Sequence, residues 1–119
     1  MQRLDFIYFK DSPKGGRGVF TADYIPKDTL IEICPVLVLS NEDREKIHQT
    51  FLHDYYFLWD DQGKQAAIAL GYGSLYNHSD TPNIAWVDWV DNVKIFYALR
   101  DIKKGEELFF NYNNKEYQF

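Results

Sequence analysis

The sequence predicts a mainly β domain, because short runs rich in β-branched and aromatic residues alternate with turn residues along most of the chain. Gly, Pro, Asn or Asp separates these runs at close intervals, and only one stretch has the pattern of a helix. The 119 residues are enough for one domain with one buried core. We therefore expect several short strands, one brief helix and no linker.

The first third of the chain predicts strands separated by tight turns. Residues 4–9 form an apolar and aromatic run and residues 19–22 form a second one, with the breaker-rich segment 11–18 between them. Residues 29–39 have the β-branched content of one or two strands. Pro35 is expected to interrupt them, because proline cannot donate a backbone hydrogen bond.

A single helix is predicted directly after this region. Ser40 is a good N-cap, and the acids that follow it favour the first turn of a helix that should end near His48. Residues 51–59 are aromatic and are ambiguous between the end of a helix and a strand. Residues 66–70 form a short apolar segment.

The C-terminal third predicts a hairpin and a last strand. Residues 84–90 and 93–99 are two strands joined at Asp91 and Asn92, whose residue types tolerate the backbone of tight turns. After a turn that contains Gly, residues 108–112 form the last strand, and a polar tail follows.

The composition excludes some classes of function and favours others. A net charge of −5 argues against broad binding to nucleic acid or to an anionic membrane, and it favours a basic partner such as a lysine-rich peptide. Cys34 is the single cysteine, so an intramolecular disulfide and a cysteine zinc cluster are excluded, and a buried position is expected. With no run of about 20 apolar residues and no signal-peptide pattern, a reducing compartment such as the cytosol is expected.

Residues 70–83 are unusually polar for a segment between apolar strands. They contain two glycines, the triplet Asn77-His78-Ser79 and a Thr-Pro-Asn turn. Short donors and acceptors on a backbone that can be approached closely suit a small polar ligand. The same run is also compatible with a turn whose Asn and Ser side chains cap their own backbone.

The Gly16-Arg17-Gly18 segment likewise admits two interpretations. It lies between two predicted strands, where it is either a backbone cradle for a ligand or a Gly-rich hairpin turn. The surrounding sequence lacks the Lys-Ser/Thr pair of a phosphate loop and the third Gly of a dinucleotide fingerprint. The three histidines form no metal-ligand pattern and there is no nucleophile elbow, so no metal site is expected.

The order of these motifs is more informative than any one of them. Over roughly residues 10–113 the chain closely resembles the SET-domain lysine methyltransferases, and its length resembles that of the minimal viral members of that family. The segments that carry the resemblance are, in order, residues 14–20 (KGGRGVF), 54–57 (DYYF), 77–79 (NHS), 81–83 (TPN), 95–102 (IFYALRDI), 105–108 (GEEL) and 111–112 (NY).

The resemblance implies the fold in more detail. SET domains are β-clip-like folds of several short sheets and one short helix. Their C-terminal segment passes the Asn-His-Ser segment in a knot-like crossing, which here would bring Tyr112 beside Asn77 and His78. Residues 1–119 would form a single SET domain without the pre-SET or zinc-binding post-SET domains of many relatives.

The resemblance also implies a cofactor. In the family the Gly-x-Gly turn and the Asn-His pair hold S-adenosylmethionine. The matching cofactor-binding residues are Gly16, Arg17, Gly18, Asn77 and His78. Tyr55 matches a tyrosine beside both the cofactor and the lysine channel. Because the cysteine cluster of many relatives is missing, the adenine must be covered otherwise, and Tyr117 or Phe119 in the tail is expected to cover it.

The reaction that the resemblance implies is S-adenosylmethionine-dependent N-methylation of lysine in a histone or another lysine-rich protein. Tyr112 matches the family's final tyrosine, where methyl transfer occurs, and is the expected catalytic residue. The expected substrate channel consists of Tyr55, Tyr76, Trp86 and Phe110. A phenylalanine at position 110, two residues before the final tyrosine, predicts a di- or trimethyl product.

The alternative function is that of a SET-like binding module, which would hold a peptide or a cofactor with little turnover. The minimal viral relatives suggest a homodimer, and a location in the cytosol or in a host nucleus is expected. No nucleic acid and no membrane is expected as a partner. The sequence does not identify the substrate lysine.

Overall fold

Two β-sheets share one core in this structure, a computed structural model that describes residues 2–59 and 62–113. Within those ranges the chain forms nine strands, one α-helix and one 3₁₀ turn. The strands are β1 (Ile7–Asp11), β2 (Arg17–Thr21), β3 (Leu30–Leu39), β4 (Phe57–Leu58), β5 (Ala66–Ala69), β6 (Asn77–His78), β7 (Ile84–Trp89), β8 (Val93–Ala98) and β9 (Glu107–Phe110). The helix is α1 (Asn41–His48), and the 3₁₀ turn spans Phe51–Asp54. The predicted mainly β fold with one short helix is confirmed.

The strand pairs of both sheets are antiparallel, with one exception. β1, β2, β9 and β6 form one sheet in that order, and β4, β5, β3, β8 and β7 form the other. β6 and β9 pair in parallel, with Asn77 opposite Phe109 and His78 opposite Phe110. Because parallel neighbours need a long crossover connection, the chain passes through the β7–β8 hairpin before its last strand returns to the Asn-His segment.

β3 runs without interruption through Pro35, so the predicted break at this proline is wrong. Residues 30–35 pair with β8, and residues 36–39 pair with β5 on the other side. Pro35 therefore lies where the strand exchanges one partner for the other. At that position a missing N–H removes no bond from the interior of either ladder.

β1 begins at Ile7 and extends to Asp11, whereas the sequence predicted a strand over residues 4–9. Leu4 instead donates its N–H to the carbonyl of Ile31 (3.0 Å), and the chain turns before the strand begins. β1 and β2 then form a hairpin closed by a tight turn. Gly15 and Gly16 both have positive φ in that turn, a conformation that residues with a Cβ adopt rarely.

The helix has the predicted bounds, because local capping determines where it begins. The Ser40 hydroxyl accepts a hydrogen bond from the N–H of Asp43 (3.1 Å). The ambiguous stretch after the helix contains both of the alternatives, a 3₁₀ turn over Phe51–Asp54 followed by the short strand β4. The helix and this turn lie beside the cavity described below.

The predicted hairpin near the C-terminus is confirmed as β7 and β8. Asp91 and Asn92 in its turn both have positive φ, as their residue types allow. Cys34 on the neighbouring strand β3 is fully buried, as expected. None of the helices in the described part of the chain is long and apolar enough to cross a membrane.

The side chain of Asn83, directly before β7, links the two sheets by holding β9. Its Nδ2 donates to the carbonyl of Glu107 and its Oδ1 accepts from the N–H of Phe109, both at 2.8 Å. The carbonyl of Phe110 accepts from the N–H of Ser79 at 2.8 Å. The segment that follows the Asn-His pair is thereby fixed to the last strand. That strand ends at Phe110, two residues before Tyr112, whereas the sequence predicted a strand over residues 108–112.

Candidate active site

A cavity of about 1210 Å³ lies between the first hairpin, the segment that links α1 to β4, the run before β6 and the end of β9. This volume is ample for a nucleotide-sized ligand together with an inserted side chain. The residues predicted from the sequence that line the cavity are Gly16, Arg17, Tyr55, Tyr76, Asn77, His78, Phe110 and Tyr112. Tyr117, the predicted cover for the adenine, and Phe119 lie outside the described residues.

Asn77 joins the two segments that were expected to hold a cofactor. Its Nδ2 donates to the backbone carbonyl of Arg17 (3.1 Å) and to Oε2 of Glu107 (2.8 Å). Both partners are acceptors, so the amide nitrogen must face them and Oδ1 must face the other way. The Gly-x-Gly hairpin and the Asn-His pair therefore meet at one edge of the cavity, although they are 60 residues apart in sequence.

Gly18 has a different position from the two residues before it. It is buried, and a Cβ built on it would collide with the Glu107 carboxylate and the Asn77 amide. It is not part of the cavity lining, whereas Gly16 and Arg17 are. Gly18 is therefore required for the close approach of the hairpin to Asn77 and Glu107.

His78 connects the Asn-His pair to Tyr112. Its Nδ1 lies 3.2 Å from the backbone N of Tyr112, and its Nε2 lies 3.2 Å from Oδ1 of Asp80. Since a backbone N–H can only donate, Nδ1 is the acceptor and the proton of the neutral ring is on Nε2. The expected proximity of Tyr112 to Asn77 and His78 is confirmed at His78, and it is produced by the parallel pairing of β6 and β9.

Tyr112 is half-buried at the inner end of the cavity. Its hydroxyl donates to the backbone carbonyl of Tyr56 (3.0 Å), and its ring stacks on Phe57 with centroids 5.4 Å apart. Burial raises the pKa of Tyr112 above its ordinary value. The hydroxyl therefore stays protonated at neutral pH, with its oxygen lone pairs available for weak contacts to a ligand.

An aromatic wall surrounds Tyr112. Phe110 packs edge-on against Phe57 (5.7 Å between centroids) and Trp86 (5.3 Å), and Tyr112 lies 6.3 Å from Trp86. Phe57 and Phe110 line the cavity, but Trp86 does not and instead packs behind them. The wall is thus built from β4, β7 and the end of β9, and Phe57 is a member that the sequence did not predict.

The two remaining tyrosines of the predicted channel have different roles. Tyr55 lines the cavity and packs against the exposed ring of Phe51, with centroids 5.5 Å apart. Tyr76 also touches the cavity, but its hydroxyl is buried and donates to Oε1 of Glu32 at 2.6 Å. Burial and the adjacent carboxylate raise the pKa of Tyr76 well above its ordinary value. The Tyr76 hydroxyl is therefore engaged in the core and is not free for a ligand.

Lys94 is a further feature beside the aromatic wall that the sequence did not predict. Its Nζ lies 2.6 Å from Oδ1 of Asp88 and sits over the rings of Phe57 (4.3 Å to the centroid) and Trp86 (4.7 Å). Burial lowers the pKa of Lys94, and Asp88 opposes that shift. The opposed positions of Asp88 and Lys94 in the predicted hairpin are a sequence signal from which this ion pair could have been inferred.

The arrangement is suited to a polar ligand at one end and an amine at the other. Backbone groups of the glycine hairpin and the free face of Asn77 suit the polar part of S-adenosylmethionine, and the aromatic wall suits a lysine side chain. These residues fit the cofactor that the sequence implied. Within residues 2–59 and 62–113 no group of three or more His, Cys, Asp or Glu side chains could hold a metal ion.

Comparisons with known proteins agree with this geometry. The profile of the SET domain matches residues 16–113. A Schizosaccharomyces pombe protein named histone-lysine N-methyltransferase, H3 lysine-37 specific, is 44% identical over 110 residues, which cover 91% of this chain and 74% of that protein. A Cryptococcus neoformans protein named histone-lysine N-methyltransferase, H3 lysine-36 specific, is 32% identical over 113 residues. The match covers 87% of this chain and 14% of that protein. A crystal structure of a Plasmodium falciparum protein described as a histone methyltransferase superposes with a TM-score of 0.74 at 35% identity, covering 98% of both chains.

Proposed function

The chain belongs to the SET-domain family of protein-lysine methyltransferases, and from this premise we propose that it methylates a lysine of histone H3 with S-adenosylmethionine as the cofactor. The observation that carries the proposal is the single cavity that connects Gly16, Arg17, Asn77 and His78 with Tyr112. Methyl transfer requires the methyl donor and the amine to meet in line, and a continuous space of this kind allows both to approach Tyr112.

At the cofactor end, the chain contributes hydrogen-bonding groups on a rigid frame. S-adenosylmethionine supplies the methyl group on a positively charged sulfonium. We assign the polar contacts to the backbone of Gly16 and Arg17, to Oδ1 of Asn77 and to the backbone beside His78. Hydrogen bonds already hold Arg17, Asn77 and the backbone of His78 to other elements, so little ordering of these groups is left to the moment of binding.

At the lysine end, the aromatic wall favours a neutral amine. A lysine with an ordinary pKa near 10.4 must lose its proton before it can act as a nucleophile. Apolar surroundings disfavour the ammonium, so entry between Tyr112, Phe57 and Phe110 lowers the pKa of the substrate amine. Because the Tyr112 hydroxyl is itself protonated at neutral pH, we assign it to orienting the methyl group and not to taking up the proton.

A histone tail is the substrate that the chain's charge and relatives favour. The net charge of −5 attracts a basic peptide, and Asp11 and Asp54 are exposed acids that line the cavity. The Schizosaccharomyces relative is named for lysine 37 of histone H3, and we propose the same lysine for this chain. A histone substrate in turn predicts a nuclear location, and the homodimer suggested by the minimal viral relatives stays a prediction.

The decisive experiment combines binding and turnover. Calorimetric titration of the purified protein with S-adenosylmethionine should show one saturable site, and the melting temperature should rise with ligand concentration. Recombinant histone H3 is then methylated and analysed by mass spectrometry, with lysine 37 or lysine 36 replaced by arginine as matched controls. Loss of product only with the lysine 37 replacement supports the proposal.

Each part of the experiment has an outcome that contradicts a different claim. Absence of binding at high micromolar S-adenosylmethionine excludes the proposed cofactor. Binding without methylation of H3 or of any protein on a lysine-rich panel favours the binding module. Loss of product with the lysine 36 replacement moves the substrate assignment by one residue.

A further inference from the structure

Glu107 is a buried carboxylate next to the cofactor end of the cavity. It is 8% exposed, and both of its oxygens accept hydrogen bonds. Oε1 accepts from the hydroxyl of Ser12 (2.7 Å), and Oε2 accepts from the amide of Asn77 (2.8 Å). Glu107 thus ties the first hairpin to the Asn-His segment, which are the two elements assigned to the cofactor.

No cation is paired with this carboxylate in the described part of the chain. The buried acidic or basic side chains there are Glu32, Lys94 and Glu107. Glu32 pairs with Arg3 at 3.4 Å, and Lys94 pairs with Asp88 at 2.6 Å. Both partners of Glu107 are neutral. A buried charge without a counter-ion is costly unless something else supplies the opposite charge.

The cavity itself does not supply a compensating charge. Its lining has two acids, Asp11 and Asp54, and two arginines, Arg17 and Arg44, so their formal charges cancel. The lining therefore does not balance the negative charge of Glu107, whose carboxylate is hydrogen-bonded to Asn77. Because Glu107 is shielded from water, its field reaches a ligand with less screening than that of the exposed residues on the rim.

We propose that Glu107 is a positioning residue that makes the site prefer the cationic methyl donor to its neutral product. This inference rests on the proposed function. S-adenosylmethionine carries a positive sulfonium, whereas S-adenosylhomocysteine, which remains after transfer, has an uncharged thioether in the same place. The two ligands share every other group, so the carboxylate attracts the donor more strongly than the product. It also keeps Oδ1 of Asn77 directed away from the hairpin, where it can accept from the ammonium that both ligands possess.

The test measures the affinities of both ligands by calorimetric titration of wild type and Glu107→Gln. The replacement keeps the shape of the side chain and removes its charge. We expect the preference for S-adenosylmethionine over S-adenosylhomocysteine to fall by about tenfold, the size expected for one buried charge acting over several ångströms. A third ligand, the analogue with a protonated amine in place of the sulfonium, should lose affinity as S-adenosylmethionine does.

Two variants separate charge from hydrogen bonding. Ser12→Ala removes the bond to Oε1 and keeps the charge, so both ligands should weaken alike and the preference should stay unchanged. Glu107→Asp keeps the charge on a shorter side chain, and it should retain the preference within about threefold even if overall affinity falls. Glu107→Asp also keeps the test valid if Glu107→Gln fails to fold, as judged from circular dichroism and melting temperature.

Equal weakening of both ligands in Glu107→Gln, or no change in either, would overturn the proposal. A loss of preference in Glu107→Asp as large as that in Glu107→Gln would also overturn it, because the shape of the side chain would then be the cause. If the wild type binds neither ligand, the proposed function is wrong, and this result is visible before any variant is made.

Discussion

Tyr112→Phe separates catalysis from packing, because it removes one oxygen atom from the centre of the site. The hydroxyl donates a hydrogen bond to the carbonyl of Tyr56. The Tyr112 ring stacks on Phe57, and the backbone N–H of Tyr112 donates a hydrogen bond to Nδ1 of His78. Neither contact involves the hydroxyl. The variant should therefore fold with the ring in its present place.

The expected losses in stability and in rate differ in size. A neutral hydrogen bond at a half-buried position contributes about 0.5–1.5 kcal/mol, so the free energy of unfolding should fall by no more than that. If the hydroxyl orients the transferring methyl group, its removal should lower turnover at least about 100-fold, as for other preorganised polar groups. That factor corresponds to about 2.7 kcal/mol in the activation free energy.

The assay is single-turnover methylation of histone H3 followed by mass spectrometry, with S-adenosylmethionine affinity measured separately by titration. Tyr8→Phe is the matched control, since it removes a hydroxyl from a partly exposed ring on β1, outside the cavity lining. Tyr112→Phe should lose turnover while keeping cofactor affinity within about threefold. Turnover within about threefold of wild type would refute the catalytic role and leave Tyr112 as a packing residue.

Two further predictions concern the aromatic wall. Phe110→Tyr should shift the product from di- or trimethyl towards monomethyl, because the added hydroxyl and the water it binds occupy the space of a methylated amine, an effect of about 1–3 kcal/mol. Phe109→Tyr, on the other side of the strand, is the control. If Phe110→Tyr leaves the product distribution unchanged in mass spectrometry, the assignment of Phe110 is wrong. Lys94→Met should change stability at pH 7 by less than about 2 kcal/mol, since the buried charge is lost and Asp88 stays partly solvated. Burial lowers the pKa of Lys94 in the folded protein below the ordinary value of 10.5 that it has in the unfolded chain. At a pH between the folded and the unfolded pKa, the unfolded chain binds more protons than the folded protein, so the free energy of unfolding of wild type should rise with pH relative to that of the variant. Parallel pH profiles from chemical denaturation would show that prediction to be wrong.

The elements that the sequence predicts well are those fixed by neighbouring residues. The helix begins at Ser40 because that side chain caps it, and the hairpin turns at Asp91 and Asn92 because these residues accept positive φ. The break expected at Pro35 was wrong for a non-local reason. Whether a missing N–H matters depends on which strand lies beside it, and that partner is not visible from nearby residues.

The site itself depends on pairings between distant segments. Local patterns gave no reason to place β9 parallel to β6, and the approach of Tyr112 to His78 was expected only from the resemblance to a family. No local pattern in the sequence predicts that Glu107 or Lys94 is buried. Both are buried because strands far away in sequence cover them, which composition and periodicity do not encode.

The last strand, β9, connects the two ends of the site, because it pairs with both β2 and β6. The Asn83 side chain hydrogen-bonds the backbone of β9 as a neighbouring strand would, because it donates to the carbonyl of Glu107 and accepts from the N–H of Phe109. With these bonds formed, the Glu107 side chain lies between Asn77 and the first hairpin, and the chain beyond Phe109 continues to Tyr112. Without β9, Asn77 loses one of the two acceptors that orient its amide, and the cavity loses Phe110 together with the segment that carries Tyr112. The cofactor end and the lysine end thus both depend on contacts made by one short strand.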